Sequence, residues 1–261
     1  MTALGWKRRI GSLAGMLPVA RPRKVILLYH SLGPRAPAVT AARFREQLLW
    51  LSANARLTTL EKLLTATSDA ALEVAITFDD GYASLHDEVA PLLQNLGASA
   101  TVYLNSGRIA ERTRNKSDPA LGHYPHEQFL IWPEVQALSA AGWNIGSHGV
   151  EHLDLTAAAS VLAAQQLAAS KLEIANRVGR PCQDFAYTWG RFTPALQKLV
   201  KAAGYRSAAS GLHGPLRADS DLLALPRIDI RADYELADFI AAVSGQWDFL
   251  GYKQRLWRVF A

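Results

Sequence analysis

The sequence predicts an α/β protein folded as a distorted (β/α)7-8 barrel with parallel strands. Three observations predict it. Short apolar, β-branched runs alternate with helical stretches from residue 24 to residue 244. The runs are continuously apolar, as in strands covered on both faces. About seven such units in about 230 residues approach the usual size of the eightfold barrel. An open doubly wound sheet is the alternative.

The elements follow in order. "KVILLYH" (24–30) is the first strand. Thr40 is placed to cap a helix that carries Phe44, Leu48 and Leu51 on one face. "LEVAITF" (72–78) is a strand, followed by a helix with Val89, Leu92, Leu93 and Leu96 that stops at Gly97. "SATVYL" (99–104) is a strand. Residues 105–131 are a long polar connection containing His123, Tyr124, Pro125 and His126, and a connection of that length is usually functional or disordered. "WPEVQALSAAG" (132–142) is a helix with Pro133 in its first turn. "WNIGSH" (143–148) is a strand, and an alanine-rich helix runs over 156–178. "DFAYTW" (184–189), "RSAAS" (206–210) and "LLALPRIDI" (222–230) are further strands. Helices over "TPALQKLVKAAGY" and 235–244 complete the pattern.

The 261 residues are 49% hydrophobic and 20% charged, as in a globular protein with a sizeable core. The one cysteine, Cys182, allows no intramolecular disulfide. Of the net charge of +5, residues 1–24 contribute +6 and residues 249–261 contribute +3, which leaves −4 on the body. That distribution argues against a nucleic-acid groove. No GxGxxG or GxxxxGK[ST] loop occurs, so nucleotide binding has no support.

Three segments result: a basic amphipathic stretch (1–23), a folded domain (24–248) and a basic tail (249–261). Ile10 to Ala20 is too short to span a membrane, and no convincing signal peptide is read there. The two basic–aromatic ends predict peripheral contact with an anionic membrane; two solvated termini are the alternative. The expected location is the cytoplasm or the inner-membrane surface, with the periplasmic side open.

Both parallel architectures place chemistry at the carboxyl ends of the strands. Tyr29-His30, Asp79-Asp80, "HGVEH" (148–152) and Thr188-Trp189-Gly190-Arg191 all fall there. His148 and His152, four apart, face one side of a helical turn. Two neutral imidazoles and one carboxylate hold a divalent metal with positions open. The second carboxylate is then close enough to take a proton from a water that the metal activates. One aspartate alone reads as a helix cap; two at a buried strand end do not.

"TFDDGY", "SHGVEHLDL" and "FAYTWG" resemble three successive motifs of the polysaccharide deacetylases (NodB homology, carbohydrate esterase family 4). "LLYHSLG", "FREQLLWL", "WPEVQALSAAGWNIGSH" and "LPRIDI" resemble a branch that includes poly-N-acetylglucosamine deacetylases. The likeness spans about residues 24–230. It implies a distorted barrel binding zinc, or else cobalt, nickel or iron, and removal of N-acetyl groups from a glycan or lipid-linked saccharide. It also implies Asp80, His148 and His152 as metal ligands, Asp79 as general base, and the backbone N–H of Trp189 as oxyanion donor. Tyr82 and Tyr187, in the same motifs, are expected beside the substrate.

The third motif departs from the family pattern. Ala186 stands where an arginine is usual, and Thr188-Trp189 replaces a proline–aromatic pair. Arg227 of "LPRI" or Arg191 is expected to orient Asp79 instead. His213 and His30 are the candidates for general acid. His123, Tyr124, His126, Trp132 and Trp189 are candidates to touch sugar. Two rival functions stay open: a related C–N hydrolase acting on a small amide or cyclic imide, and a catalytically weak glycan-binding homologue.

Overall fold

The computed structural model describes residues 4–8, 22–67, 69–252 and 254. Seven parallel strands curl round in the order β7-β6-β5-β4-β3-β1-β8. They are β1 (Arg23–Tyr29), β3 (Leu72–Phe78), β4 (Thr101–Leu104), β5 (Asn144–Ser147), β6 (Asp184–Ala186), β7 (Ser207–Ala209) and β8 (Ile228–Asp229). A short β2 (Arg56–Leu57) pairs with the start of β3. The ends of the ribbon meet across residues 225–229. Leu225 N–H donates to Ala208 O and Ser210 N–H to Leu225 O. Three residues on, Ile228 and Asp229 pair with Leu27 and Leu28 of β1. One broken strand thus makes the seam, which is the distortion of the barrel.

Strand β1 explains the continuous apolar runs. Val25, Leu27 and Tyr29 pack in the large core under the helices, while Ile26 packs in the barrel interior. Ala75, Tyr103, Ala186 and Ala209 share that interior, with Leu60 and Leu63 of α2 (Leu60–Thr65). The three alanines leave room inside for one long side chain from the seam, that of Arg227.

The remaining helices are α1 (Ala41–Asn54), α3 (Ala90–Gln94), α4 (Trp132–Ala140), α5 (Ser160–Val178), α6 (Pro194–Ala202) and α7 (Leu236–Val243). Thr40 caps α1 by accepting from Arg43 N–H, and Phe44, Leu48 and Leu51 are buried as expected. A single π-helical turn (Leu85–Val89) precedes α3.

Several boundaries differ from expectation. The helix placed at Thr156 begins at Ser160, because Asp154 Oδ1 accepts from both N–H and Oγ1–H of Thr156 and makes a turn first. The strand placed over 222–230 shrinks to two residues. Asp221 caps a 3-10 turn at Leu222–Ala224, and Pro226 has no N–H for a ladder. Strand β2 and helix α2 have no counterpart in the sequence reading. Residues 105–131 are not structureless: they hold two 3-10 turns and bridges Tyr82–Phe129, Ala110–Ile131 and Lys116–Gln128.

Part of the expected N-terminal segment packs on the body. Arg8 forms a two-point ion pair with Asp238, and Trp6 meets Phe249 edge-on. Residues 9–21 and most of the expected tail lie outside the described residues.

Candidate active site

Strand β3 delivers the two aspartates and the turn after it separates them. Asp80 adopts φ 70° and Gly81 φ 85°. Asp tolerates this left-handed region better than most residues, and Gly81 has no room for a side chain because a Cβ would meet Leu104 at 2.5 Å. Gly81 N–H closes the turn on Asp79 O. Neither carboxylate caps the following helix; its cap position is Ser84. Asp79 and Asp80 therefore point to different partners.

Asp79 points inward to Arg227. The guanidinium donates from Nη1 to Oδ1 at 2.7 Å and from Nη2 to Oδ2 at 2.8 Å, with both side chains buried. Arg227 is itself fixed by donating from Nε to Ser210 O at 3.1 Å. Burial alone would raise the Asp79 pKa, but Arg227, with His148 and His30, outweighs it and holds the carboxyl at about 2. Arg191, the other expected partner, instead pairs with Asp154 at 2.8 Å.

Asp80 points to the two histidines. His148 Nε2 and His152 Nε2 each stand 3.6 Å from Asp80 Oδ1. Each imidazole turns its other nitrogen to a carbonyl: His148 Nδ1 donates to Ala186 O at 2.7 Å and His152 Nδ1 to Leu121 O at 2.6 Å. That fixes the tautomer with both Nε2 lone pairs facing Asp80. Burial lowers the His148 pKa to about 4, so the ring is neutral near pH 7. The helical turn expected over 148–152 is not there. The segment is a loop with Gly149 at φ 85°, and the loop brings the rings to 5.1 Å.

Asp80 Oδ1 is buried and has no hydrogen-bond partner. Its ligand atom and those of the two histidines lie within 4.8 Å of one another. An orphaned carboxylate oxygen between two imidazole lone pairs fits a divalent cation. Among the described residues one other His/carboxylate group, His86, Asp87 and Glu134, has comparable spacing, but there Arg114 already bonds both carboxylates.

These residues form the floor of a cavity of about 760 Å³. Trp189 lies on one wall at φ 59°, 49% exposed, with its ring 4.9 Å from that of His152. The turn around it spends Gly190 N–H on Tyr187 O and Arg191 N–H on Thr188 O and does not use the Trp189 amide. Thr188 Oγ1–H donates to Leu153 O, so the unusual residue of this motif ties it to the histidine loop. His30 and Tyr124 stack at 5.0 Å on another wall. Asp229, Arg231 and Asp233 form the rim after β8. These three are not among the residues expected from the sequence, although Asp229 ends β8 and Arg231 and Asp233 follow it.

Four expectations are corrected. His213 is buried and does not line the cavity; burial brings its pKa to about 4. The Tyr187 side chain faces the helices, where its hydroxyl donates to Leu223 O at 2.8 Å. Tyr82 is fully buried, stacked on Tyr124 and Phe129, and its hydroxyl accepts from Tyr124 N–H at 2.7 Å. Trp132 is core. Of the loop residues expected to meet sugar, Tyr124 lines the cavity, whereas His123 is buried and His126 stands outside it.

The family model of the polysaccharide deacetylases matches residues 68–208, which span β3 to β7 and all four of Asp79, Asp80, His148 and His152. The chain belongs to the polysaccharide deacetylase family. It is 26% identical over 217 residues to YxkH of Bacillus subtilis (strain 168), a protein named for this family, covering 80% of this chain and 72% of that one. The fold is similar to that of Streptococcus pyogenes deacetylase PplD, solved in complex with acetate: TM-score 0.72, 20% identity, 87% of this chain and 99% of that one. It is also similar to IcaB from Ammonifex degensii, with TM-score 0.70, 18% identity, and coverage of 86% and 97%. As a polysaccharide deacetylase the protein is a carbohydrate-deacetylating hydrolase, and the family is generally metal-dependent.

Proposed function

We propose that this polysaccharide deacetylase is a metal-dependent hydrolase that removes N-acetyl groups from a glycan containing N-acetylhexosamine and releases acetate. The orphaned Asp80 Oδ1 between two oriented imidazoles, beside an Asp79 held ionised by Arg227, carries the reading. Asp80, His148 and His152 would hold the cation, zinc first among those that accept this donor set. Once bound, it supplies a Lewis acid that acidifies water and polarises the amide carbonyl.

The chain's own residues do the rest. Asp79 takes the proton of the attacking water on a carboxylate oxygen. Its low pKa makes it a weak base, which suits a water already acidified. The Trp189 N–H donates to the oxygen on which negative charge develops. His30, on the cavity wall at the end of β1, donates a proton to the departing nitrogen. The C–O bond forms first, as charge moves onto the carbonyl oxygen; the C–N bond breaks as that charge returns and the nitrogen takes its proton, so that acetate and a free amine result. The exposed face of the Trp189 indole is placed to stack on a pyranose ring.

Acetate release from N-acetylglucosamine oligomers tests this. Asp79→Asn should lower turnover about 10²–10⁴-fold with zinc still bound. If the wild type binds zinc but releases acetate from no glycan, the reading fails. Turnover of a small amide or cyclic imide in place of the oligomers would favour the related C–N hydrolase. Loss of turnover in the variant excludes a glycan-binding relict.

The basic–aromatic ends support a further part of the reading, peripheral attachment to an anionic membrane. No helix among the described residues is long and apolar enough to cross one.

A further inference from the structure

Behind the Asp80–His148–His152 cluster lies a second layer of polar side chains that does not reach the cavity. Asn105, the first residue after β4, is fully buried; its Nδ2 donates to His148 O at 2.8 Å, which fixes the orientation of its amide. Asn105 Oδ1 faces His123 Nε2 at 3.4 Å. His123 Nδ1 lies 3.2 Å from Asp118 O on its other side. Asp118 O also accepts the backbone N–H groups of Leu121 and His123, and Asp118 Oδ1 accepts Ala120 N–H. The turn so closed presents Leu121 O to His152 Nδ1. The His123 ring packs 5.0 Å from that of His152 and edge-on to Phe129 at 4.8 Å.

One chain of contacts therefore connects the two imidazoles from behind: His148 O, Asn105, His123, the 118–122 turn, His152 Nδ1. A buried histidine and a buried asparagine are costly in a core unless they are partnered. Asn105 spends both ends of its amide on this chain; His123, whose neutral ring has one proton to donate, joins it through Nε2–H to Asn105 Oδ1 and through its backbone N–H to Asp118 O. The 118–122 turn has few other ties to the histidine loop. The nearest is Arg108, which pairs with Glu151 and lies 4.0 Å from Asp118.

We propose that Asn105 and His123 are positioning residues that set the spacing of the His148 and His152 Nε2 atoms for the divalent cation, an inference that rests on the metal reading above. Neither residue lines the cavity, so neither touches substrate.

The test is zinc affinity of the metal-free full chain, read by competition with a chromophoric chelator, beside thermal melting of the same metal-free samples. Asn105→Ala and His123→Ala should each weaken zinc binding roughly 10–100-fold, as expected for partners that orient ligands. His123→Gln, whose amide reaches the position of Nε2, should recover most of the loss. The double alanine variant should lose little more than either single one, because both act through one chain of contacts. Should an alanine variant not fold, Asn105→Ser and His123→Asn replace it under the same criteria. Zinc binding within about threefold of wild type in a folded variant overturns the proposal, and so does failure of His123→Gln to recover affinity. A wild type that binds zinc but releases no acetate sinks the deacetylase reading and leaves this one standing.

Discussion

Asp79 and Arg227 carry the main energetic risk of the site at the scale of single residues. Both are buried and each leaves the other exposed to the full cost of an unpaired charge if it is removed. Arg227→Met should therefore destabilise the metal-free protein by about 3–5 kcal/mol, measured by urea unfolding. The pair also fixes a pH dependence. The folded pKa of about 2 lies below the ordinary 3.8, so above pH 3.8 the stabilisation is complete, and it is lost as pH falls towards 2. The variant should lose that acid-limb slope, and an unchanged slope between pH 4 and pH 2 would reject the assignment. The sequence made Asp79, Asp80, His148 and His152 legible because each follows a strand end. Arg227 was legible as one of two options, and Ala186 is the reason. The missing arginine left a small residue in the barrel interior, and the guanidinium comes instead from the seam, across β7 from Ala186. His213 misled because a histidine in a glycine–proline loop looks exposed, and no local pattern reveals that the C-terminal residues adjoin it: Gln254 Oε1 accepts from His213 N–H, and a Cβ on Gly251 would meet His213 O at 2.0 Å.

Elements set the geometry that residues alone do not. The HxxxH spacing suggested a helix, yet a loop does the work, because Gly149 turns the chain and the neighbouring loops hold it: Ser106 N–H donates to Gly149 O and Gly107 N–H to Val150 O. Spacing in sequence gave the right pair of residues for the wrong geometric reason. The boundaries that failed are those where a side chain competes with the backbone, as Asp154 does before α5 and Asp221 before β8. The 118–122 turn is where element and function meet. Gly122 sits at φ 85°, and a Cβ there would lie 1.8 Å from the Trp189 ring. Gly122→Ala should force the indole off its seat over His152. Steady-state kinetics on an oligomer should show kcat/KM lower by up to about 100-fold, the cost of misplacing a reacting group by about an ångström. Tryptophan emission should shift in the same variant. An unaltered kcat/KM would mean that Trp189 has no part in holding the substrate.

At the scale of the whole molecule the barrel has two ends with different character. The cavity occupies the carboxyl ends of the strands. Pro22 and Tyr252, from which the chain continues towards residues 9–21 and 255–261, line a groove of about 810 Å³ at the other end, with Leu216 and Phe249. Arg23, Lys24 and Arg217 line this base beside a single carboxylate, Asp248. If that base meets an anionic membrane, the cavity opens away from the bilayer, about 23 Å off for a seven-residue strand such as β1. A long glycan reaches such a cavity more readily than a saccharide held at the lipid headgroups. The protein should float with anionic vesicles, float less as salt rises through the range where the screening length falls below about 10 Å, and stay down with neutral vesicles. While bound it should deacetylate a soluble oligomer at its free rate. Vesicle binding that blocks the soluble oligomer would place the membrane over the cavity instead, and flotation indifferent to lipid charge would remove the basic ends from the account.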